Sequence, residues 1–280
     1  MIRLNIVTIV KDDNYSLELT IKSALNLAIC VPKIYFVHYI QDGSLNNYKE
    51  KYFLRLKNKP RGNYKIIYSR ARDSGIYDAM NKVNNKFQSG DLIIYMNAGD
   101  IFYNKINYDK FFYAIKDFNE RSETICFFRS LNIYKNIYYF MPPKSIKNTD
   151  NFIAWVKNYS PVHQSIRFKF SDLYPLHYDN SFRIQADQAL IYKILNNFSK
   201  PVFYNFQISN FSLGGYSGNY RSLKKVICQF REQILIMKMR GQKKFYFRTF
   251  IIFAIKYGLH NLLKDNFFIF HARINKFFKS

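Results

Sequence analysis

Residues 2–10, IRLNIVTIV, form an apolar run rich in β-branched side chains. That is the pattern of a strand buried within a parallel sheet. Asp12, Asp13 and Asn14 break it, and residues 17–27 then carry Leu17, Ile21, Ala24 and Leu25 at helical spacing. The alternation continues with a strand over 33–40 closed by Asp42-Gly43-Ser44, a helix over 48–56 and a strand over 64–68. A helix over 75–87 places Ile76, Ala79, Met80, Val83 and Phe87 on one face, and a strand over 91–96 stops at Asn97-Ala98-Gly99-Asp100. Such alternation predicts a doubly wound α/β domain, a mixed, mostly parallel sheet flanked by helices.

The rest of the chain is less regular. Residues 124–129 and 137–141 read as strands, Pro142-Pro143 as a break, and a helix begins near Ala186-Asp187. Gly214-Gly215 and Ser217-Gly218 mark a turn. Residues 220–240 and 245–263 read as amphipathic helices with basic outer faces. This predicts one domain over 1–219, with halves at 1–100 and 101–219, and a basic helical extension over 220–280.

In doubly wound sheets ligands bind beyond the carboxyl ends of the strands. Asp12, Asp42 and Asp100 each follow a predicted strand, and Asp73 lies in the loop after the third. Four successive loops therefore bring carboxylates toward one crevice. In RDSGIYDAMNKV, residues 72–83, Ser74 or Asp73 can cap the helix, Gly75 lets backbone approach a ligand, and free N–H groups at the helix start attract anions. Asp78 and Asn81 are three apart, hence on a common face. An acid beside glycine at the end of a buried strand, as at Asp100, can reach a cation held on phosphate, since Mg²⁺ and Mn²⁺ prefer oxygen ligands. A plain Asp-Gly turn is the competing account of that tetrapeptide.

Composition adds a constraint. The 280 residues carry a net charge of +24, with 48% hydrophobic and 19% aromatic residues. This excludes a disordered chain and calls for an anionic partner. Residues 221–280 hold 14 Lys or Arg against 2 Asp or Glu, half of that net charge. The three cysteines are widely spaced and odd in number, so reduced thiols of a cytosolic protein are expected. No uncharged apolar window is long enough to span a bilayer, and the short apolar N-terminal run lacks a small-residue cleavage site, so it reads as a strand and not as a signal peptide.

The order DSGIYDAMNKV, then Gly-Asp, then an apolar strand, then MNAGD, resembles the family 2 inverting glycosyltransferases of GT-A fold. The likeness is to the bacterial branch that builds O-antigen, capsule and colanic-acid-type polysaccharides. It is dense over residues 73–100, weaker over 1–50 and to about 220, and absent beyond. The resemblance implies a nucleotide-sugar donor, most simply a UDP-hexose or UDP-N-acetylhexosamine, bound with Mn²⁺ or Mg²⁺. Asp100 matches the acid that reaches the metal, and Asn97 stands where the metal-site element begins. Asp42 matches the acid on the nucleoside, Asp73 one that shapes the nucleotide pocket, and Asp12 replaces an asparagine of the family. Gly75, Asp78 and Asn81 complete the donor set.

Two further elements, Pro161 to Ser165 and Arg183 to Gln188, match an H-Q pair and an A-D pair. They imply acceptor contacts from His163 and Gln164 and a general base at Asp187. A hydrogen-bonded core histidine and a helix cap are the plainer accounts of His163 and Asp187. Gly214-Gly215-Tyr216-Ser217 resembles a C-terminal loop element. The implied acceptor is an undecaprenyl-diphosphate-linked glycan, the implied location the cytoplasmic face of a bacterial inner membrane, with the basic extension peripheral on anionic lipid. A solvated basic face packed against the domain is the duller alternative for the extension. Nucleic acid is not an expected partner, although a non-catalytic nucleic-acid binder is the rival account of the charge. Acids from separate loops gathered at one place discriminate the two, because nucleic-acid binding has no need of them.

Overall fold

The computed structural model describes residues 1–44, 62–156, 159–173, 176–197, 200–212, 222–241 and 246–264, together with 266, 267, 269, 270 and 273. The expected helix over 48–56 and the Gly214–Ser217 element lie outside the described residues.

The first half follows the hydrophobic pattern closely. Strand β1 (Ile2–Val10) is followed by helix α1 (Asn14–Cys30), β2 (Ile34–Asp42), β3 (Tyr64–Arg70), α2 (Ile76–Asn84) and β4 (Leu92–Tyr95). These strands are parallel in the order β3-β2-β1-β4, with Ile2 opposite Ile34 and Leu4 opposite Leu92. The second half adds β5 (Ile101–Phe102), α3 (Tyr108–Glu120), β6 (Ile125–Tyr134), β7 (Ile137–Met141), α4 (Thr149–Val156), a short 3₁₀ turn (His163–Ser165), β8 (Ile166–Lys169), α5 (Ala186–Asn197) and β9 (Val202–Ser212). They extend the sheet as β4-β8-β6-β9-β5, and β7 pairs with β6. Strand β8 runs antiparallel to β4 and β6, while β9 is parallel to β6.

Alternate side chains of β1 divide between two cores, as a two-residue period requires. Leu4, Ile6 and Val10 pack with α1 and α3, whereas Val7 and Ile9 pack with α2, α4 and α5. The result is a mixed α/β sheet flanked by helices, as the pattern predicts. Two more helices follow, α6 (Leu223–Met239) and α7 (Tyr246–Leu263). Ile236 of α6 is buried in the same core as α5. No helix among the described residues is long and apolar enough to cross a membrane, and all three cysteines are free.

Candidate active site

The loop after β4 is held from two sides. Thr8 on β1 donates to the Met96 carbonyl at 2.6 Å. Thr20 on α1 donates to the Asp100 carbonyl at 2.8 Å and accepts from the Gly99 amide at 3.0 Å. Gly99 has φ +95°, a conformation that a side chain would strain. These restraints turn the Asp100 side chain inward, where it is 9% exposed. Its Oδ2 accepts from the Asn97 amide at 2.8 Å and from Gln164 Nε2 at 2.7 Å. Burial outweighs these bonds and pushes the carboxyl up to about 7.

The two residues that bond this carboxylate each carry a side-chain oxygen, Asn97 Oδ1 and Gln164 Oε1, that is buried with no hydrogen-bond partner. Orphaned acceptors next to a destabilised carboxylate suit a cation, and an all-oxygen set suits a hard divalent ion. Asp100, Asn97 and Gln164 therefore fit the divalent metal that the sequence implies. No cluster of three His, Cys, Asp or Glu side chains able to hold a metal alone occurs among the described residues. An ion here would need oxygens from its ligand.

Asp42 and Asp73 meet at the ends of β2 and β3. Asp42 is 7% exposed; it accepts from the Ser44 amide at 2.8 Å and from Tyr68 Oη at 2.7 Å. The Asp73 carboxylate lies against Gly43 so closely that a Cβ there would collide with Oδ2. Asp12 is exposed, adopts φ +54°, and its amide donates to Ser44 Oγ at 2.8 Å. The left-handed backbone explains why an Asn or Asp suits that position. Thus Asp12, Asp42 and Asp73 converge around Gly43-Ser44.

The expected helix cap is corrected. Gly75 is the N-cap of α2 and makes no side-chain cap bond. Asp73 accepts from the Gly75 amide at 3.2 Å, and Asp78 reaches back to the Ser74 amide at 2.9 Å while pairing with Lys82 at 3.0 Å. The Ser74 bond leads in holding the Asp78 carboxyl below its ordinary value. Asp78 thus serves the helix start.

Asn81 is turned into the protein. It is 5% exposed, its Nδ2 donates to the Tyr178 carbonyl at 2.8 Å and Asn180 Oδ1 at 3.2 Å, and its Oδ1 accepts from the Tyr178 amide at 2.8 Å. Both amide protons are spent on the protein, so Asn81 anchors the segment around Tyr178. His163, expected at an acceptor, is a core histidine. It is 8% exposed, stacks on Tyr95 with centroids 4.9 Å apart and has Nε2 3.0 Å from Tyr178 Oη. Burial lowers it to about 4, so it is neutral near pH 7. Gln164 is likewise buried and gives its amide to Asp100 Oδ2.

Asp187 lies in the first turn of α5. Its carboxylate is pushed up to about 6 by burial, opposed by bonds from the Gln188 amide and Tyr77. Tyr77 Oη donates to the Ile184 carbonyl at 2.6 Å and lies 3.2 Å from Asp187 Oδ1. Tyr77 also stacks on Tyr178 with centroids 5.4 Å apart. An unbroken series of contacts therefore runs from Asp100 through Gln164, its neighbour His163, Tyr178 and Tyr77 to Asp187. Tyr77 and Tyr178 carry no role in the sequence reading, although Tyr77 sits inside the quoted motif; Tyr178 has no local signal.

The sheet and its helices place the chain among structures of the GT-A fold. It aligns with S. aureus TarS 1–349 at TM-score 0.59 and 10% identity, over 94% of this chain and 74% of that one. It aligns with TarS 1–349 in complex with UDP-GlcNAc at TM-score 0.58 and 13% identity, covering 85% of this chain and 66% of that one. The mannosyltransferase PcManGT from Pyrobaculum calidifontis, in complex with GDP-Man and Mn²⁺, aligns at TM-score 0.56 and 10% identity over 87% and 69%. No protein-family model and no curated protein sequence matches the chain. At such identities the likeness carries the fold alone.

Proposed function

We propose that the protein is an inverting glycosyltransferase that moves one sugar from a nucleotide-sugar donor to a hydroxyl of a lipid-linked glycan, in the assembly of a bacterial surface polysaccharide. The observation that carries this reading is the pair of carboxylates with raised pKa, the buried Asp100 and the half-buried Asp187, joined by one wall of contacts. Perturbed acids in such a setting are expected of a catalytic site. A nucleic-acid surface has no use for them.

In this reading the loops bearing Asp12, Asp42 and Asp73 bind the nucleoside end of the donor. Asp100, oriented by Gln164 and the Asn97 amide, would hold Mn²⁺ or Mg²⁺ together with Asn97 Oδ1 and Gln164 Oε1. Such an ion, when bound, neutralises charge on a leaving diphosphate. Asp187 takes the proton from the acceptor hydroxyl as its oxygen attacks the anomeric carbon from the face opposite the leaving group. The C–O bond to the diphosphate breaks with inversion, so an α-linked donor gives a β-glycoside. A UDP-hexose or UDP-N-acetylhexosamine is the leading donor class.

Thermal unfolding in the presence of UDP-, GDP- and dTDP-sugars, each with and without Mn²⁺, tests the reading. One nucleotide class should raise the melting temperature only when the metal is present. No shift with any of them sinks the proposal. Gly43→Ala tests the nucleoside end. The added methyl must turn the Asp73 carboxylate aside, so donor KM should rise while stability changes little; an unchanged KM removes Asp73 from the pocket.

We place the enzyme on the inner face of the cytoplasmic membrane. Leu223, Ile227, Leu235, Phe250, Ile251 and Ile255 on α6 and α7 are each at least 40% exposed, within the strongly basic terminal region. Apolar side chains amid Lys and Arg suit an anionic lipid surface, at about 1 kcal/mol per basic residue near it. Co-sedimentation with vesicles containing anionic lipid, lost at high salt and absent with neutral vesicles, is the expected result; equal recovery with both contradicts it.

A further inference from the structure

Glu232 occupies a core position of α6. It shares the inward face with Val226, Gln229 and Ile236 and is 4% exposed. A carboxylate there is costly unless its oxygens are satisfied. Among the described residues they are met by N–H and S–H groups. Glu232 accepts from the amides of Arg183 at 2.6 Å, Ile184 at 3.1 Å and Gln185 at 2.8 Å, and from Cys228 Sγ at 3.3 Å. Three consecutive amides turned toward one anion form a backbone nest. The nest ends immediately before α5, the helix whose second residue is Asp187.

We infer that Glu232 is a positioning residue for Asp187, so that the C-terminal helix α6 completes the catalytic wall of the enzyme. The inference rests on Asp187 being the base. Its physical content is a short relay. Glu232 fixes the 183–185 backbone, the Ile184 carbonyl takes the Tyr77 proton at 2.6 Å, and Tyr77 Oη thereby stands 3.2 Å from Asp187 Oδ1. Each link constrains the next without touching substrate. Burial, followed by the charges of Asp187 and Glu232, keeps the Tyr77 phenol protonated. An apolar residue of similar size at position 232 would fill the core equally well but leave three amides without an acceptor. That turn would then be free to move relative to α2.

The variants are Glu232→Gln, Tyr77→Phe and the two combined, assayed for nucleoside diphosphate release with whichever nucleotide sugar most stabilises the wild type, water serving as acceptor. Amide exchange over 183–187 is measured alongside. Glu232→Gln should speed exchange there and lower kcat by up to about 10²-fold, the scale of a 1 Å misplacement, with donor KM unchanged. The double variant should be no slower than the slower single one, because both changes cut the same relay. Losses that multiply, or unchanged exchange, overturn the inference. Tyr77→Phe probes the relay without altering α6; if it keeps full kcat, the inference also fails even where Glu232→Gln does not fold. Asp187→Asn separates the two levels. Full activity in that variant refutes the base assignment, whereas faster exchange in Glu232→Gln would still show the nest to depend on Glu232.

Discussion

Asp187→Asn should lower kcat by about 10²–10⁴-fold, the usual contribution of a general base, while donor affinity and the fold survive. Asparagine matches the carboxylate in size and can keep a contact with Tyr77, but it cannot take a proton from an attacking hydroxyl. The raised pKa sharpens the expectation. In the wild type, kcat should fall tenfold per unit below about pH 6 as Asp187 is protonated. The stability effect has the opposite sense. A carboxyl whose folded pKa lies above its unfolded value binds more protons in the native state, so stability declines as pH rises from about 4 to 6. The charge on Asp187 is therefore held against the fold at neutral pH. Asp187→Asn should melt no lower than wild type at pH 7 while losing activity, a combination that loss of structure cannot produce. Full activity would remove Asp187 from the mechanism.

The difference between what the chain announces and what it conceals follows from the range of the interactions. Strands β1 and β7 have the bounds that their apolar runs predict, since each is specified by its own residues. Helix α3 is not read from the sequence. Phe111, Ala114, Ile115 and Phe118 are its buried positions, yet the surrounding Tyr and Phe residues favour strands and blur the period. Strand β8 has four residues, with a buried Arg167 at its second position; no local pattern identifies so short and charged a segment.

The site divides in the same way. The positions of Asp42, Asp73 and Asp100 at or beyond strand ends are legible because the strands that lead to them are specified locally. Asn81 is related by spacing to Asp78, three residues before it. It in fact belongs with Tyr77 and Asn84 on a stripe at i, i+4 and i+7 that is buried against residues 176–180. An apolar-only pattern omits such a polar buried stripe. Gln164 and Asp100 are 64 residues apart and meet only in the folded chain. Glu232 lies 45 or more residues from the amides it holds. Its separation from Asp187 hides that link from a reading that set 220–280 apart as an extension.

Asp100→Asn should abolish metal-dependent stabilisation by nucleotide sugars and remove detectable transfer. The native arrangement couples a buried acid with pKa about 7 to Asn97 and Gln164, both carrying buried oxygens that lack partners. A proton and a divalent cation compete for that carboxylate. In the wild type, Mn²⁺ affinity should climb by about tenfold per pH unit up to about 7 and then level off. The sign of the stability term is again that of a raised acid. Without metal, the folded protein loses stability as pH rises from about 4 to 7, because the native state prefers the protonated carboxyl. Asp100→Asn removes the penalty and the cation together, so the metal-free variant should match or exceed wild type in melting temperature at pH 8 yet gain nothing from Mn²⁺. Gln164→Ala keeps the carboxylate but removes both the 2.7 Å bond that aims it and the buried Oε1, so metal affinity should weaken without vanishing. If Asp100→Asn still showed Mn²⁺-dependent stabilisation by a nucleotide sugar, the ion would have to bind elsewhere, and the strand-end carboxylates would need another explanation.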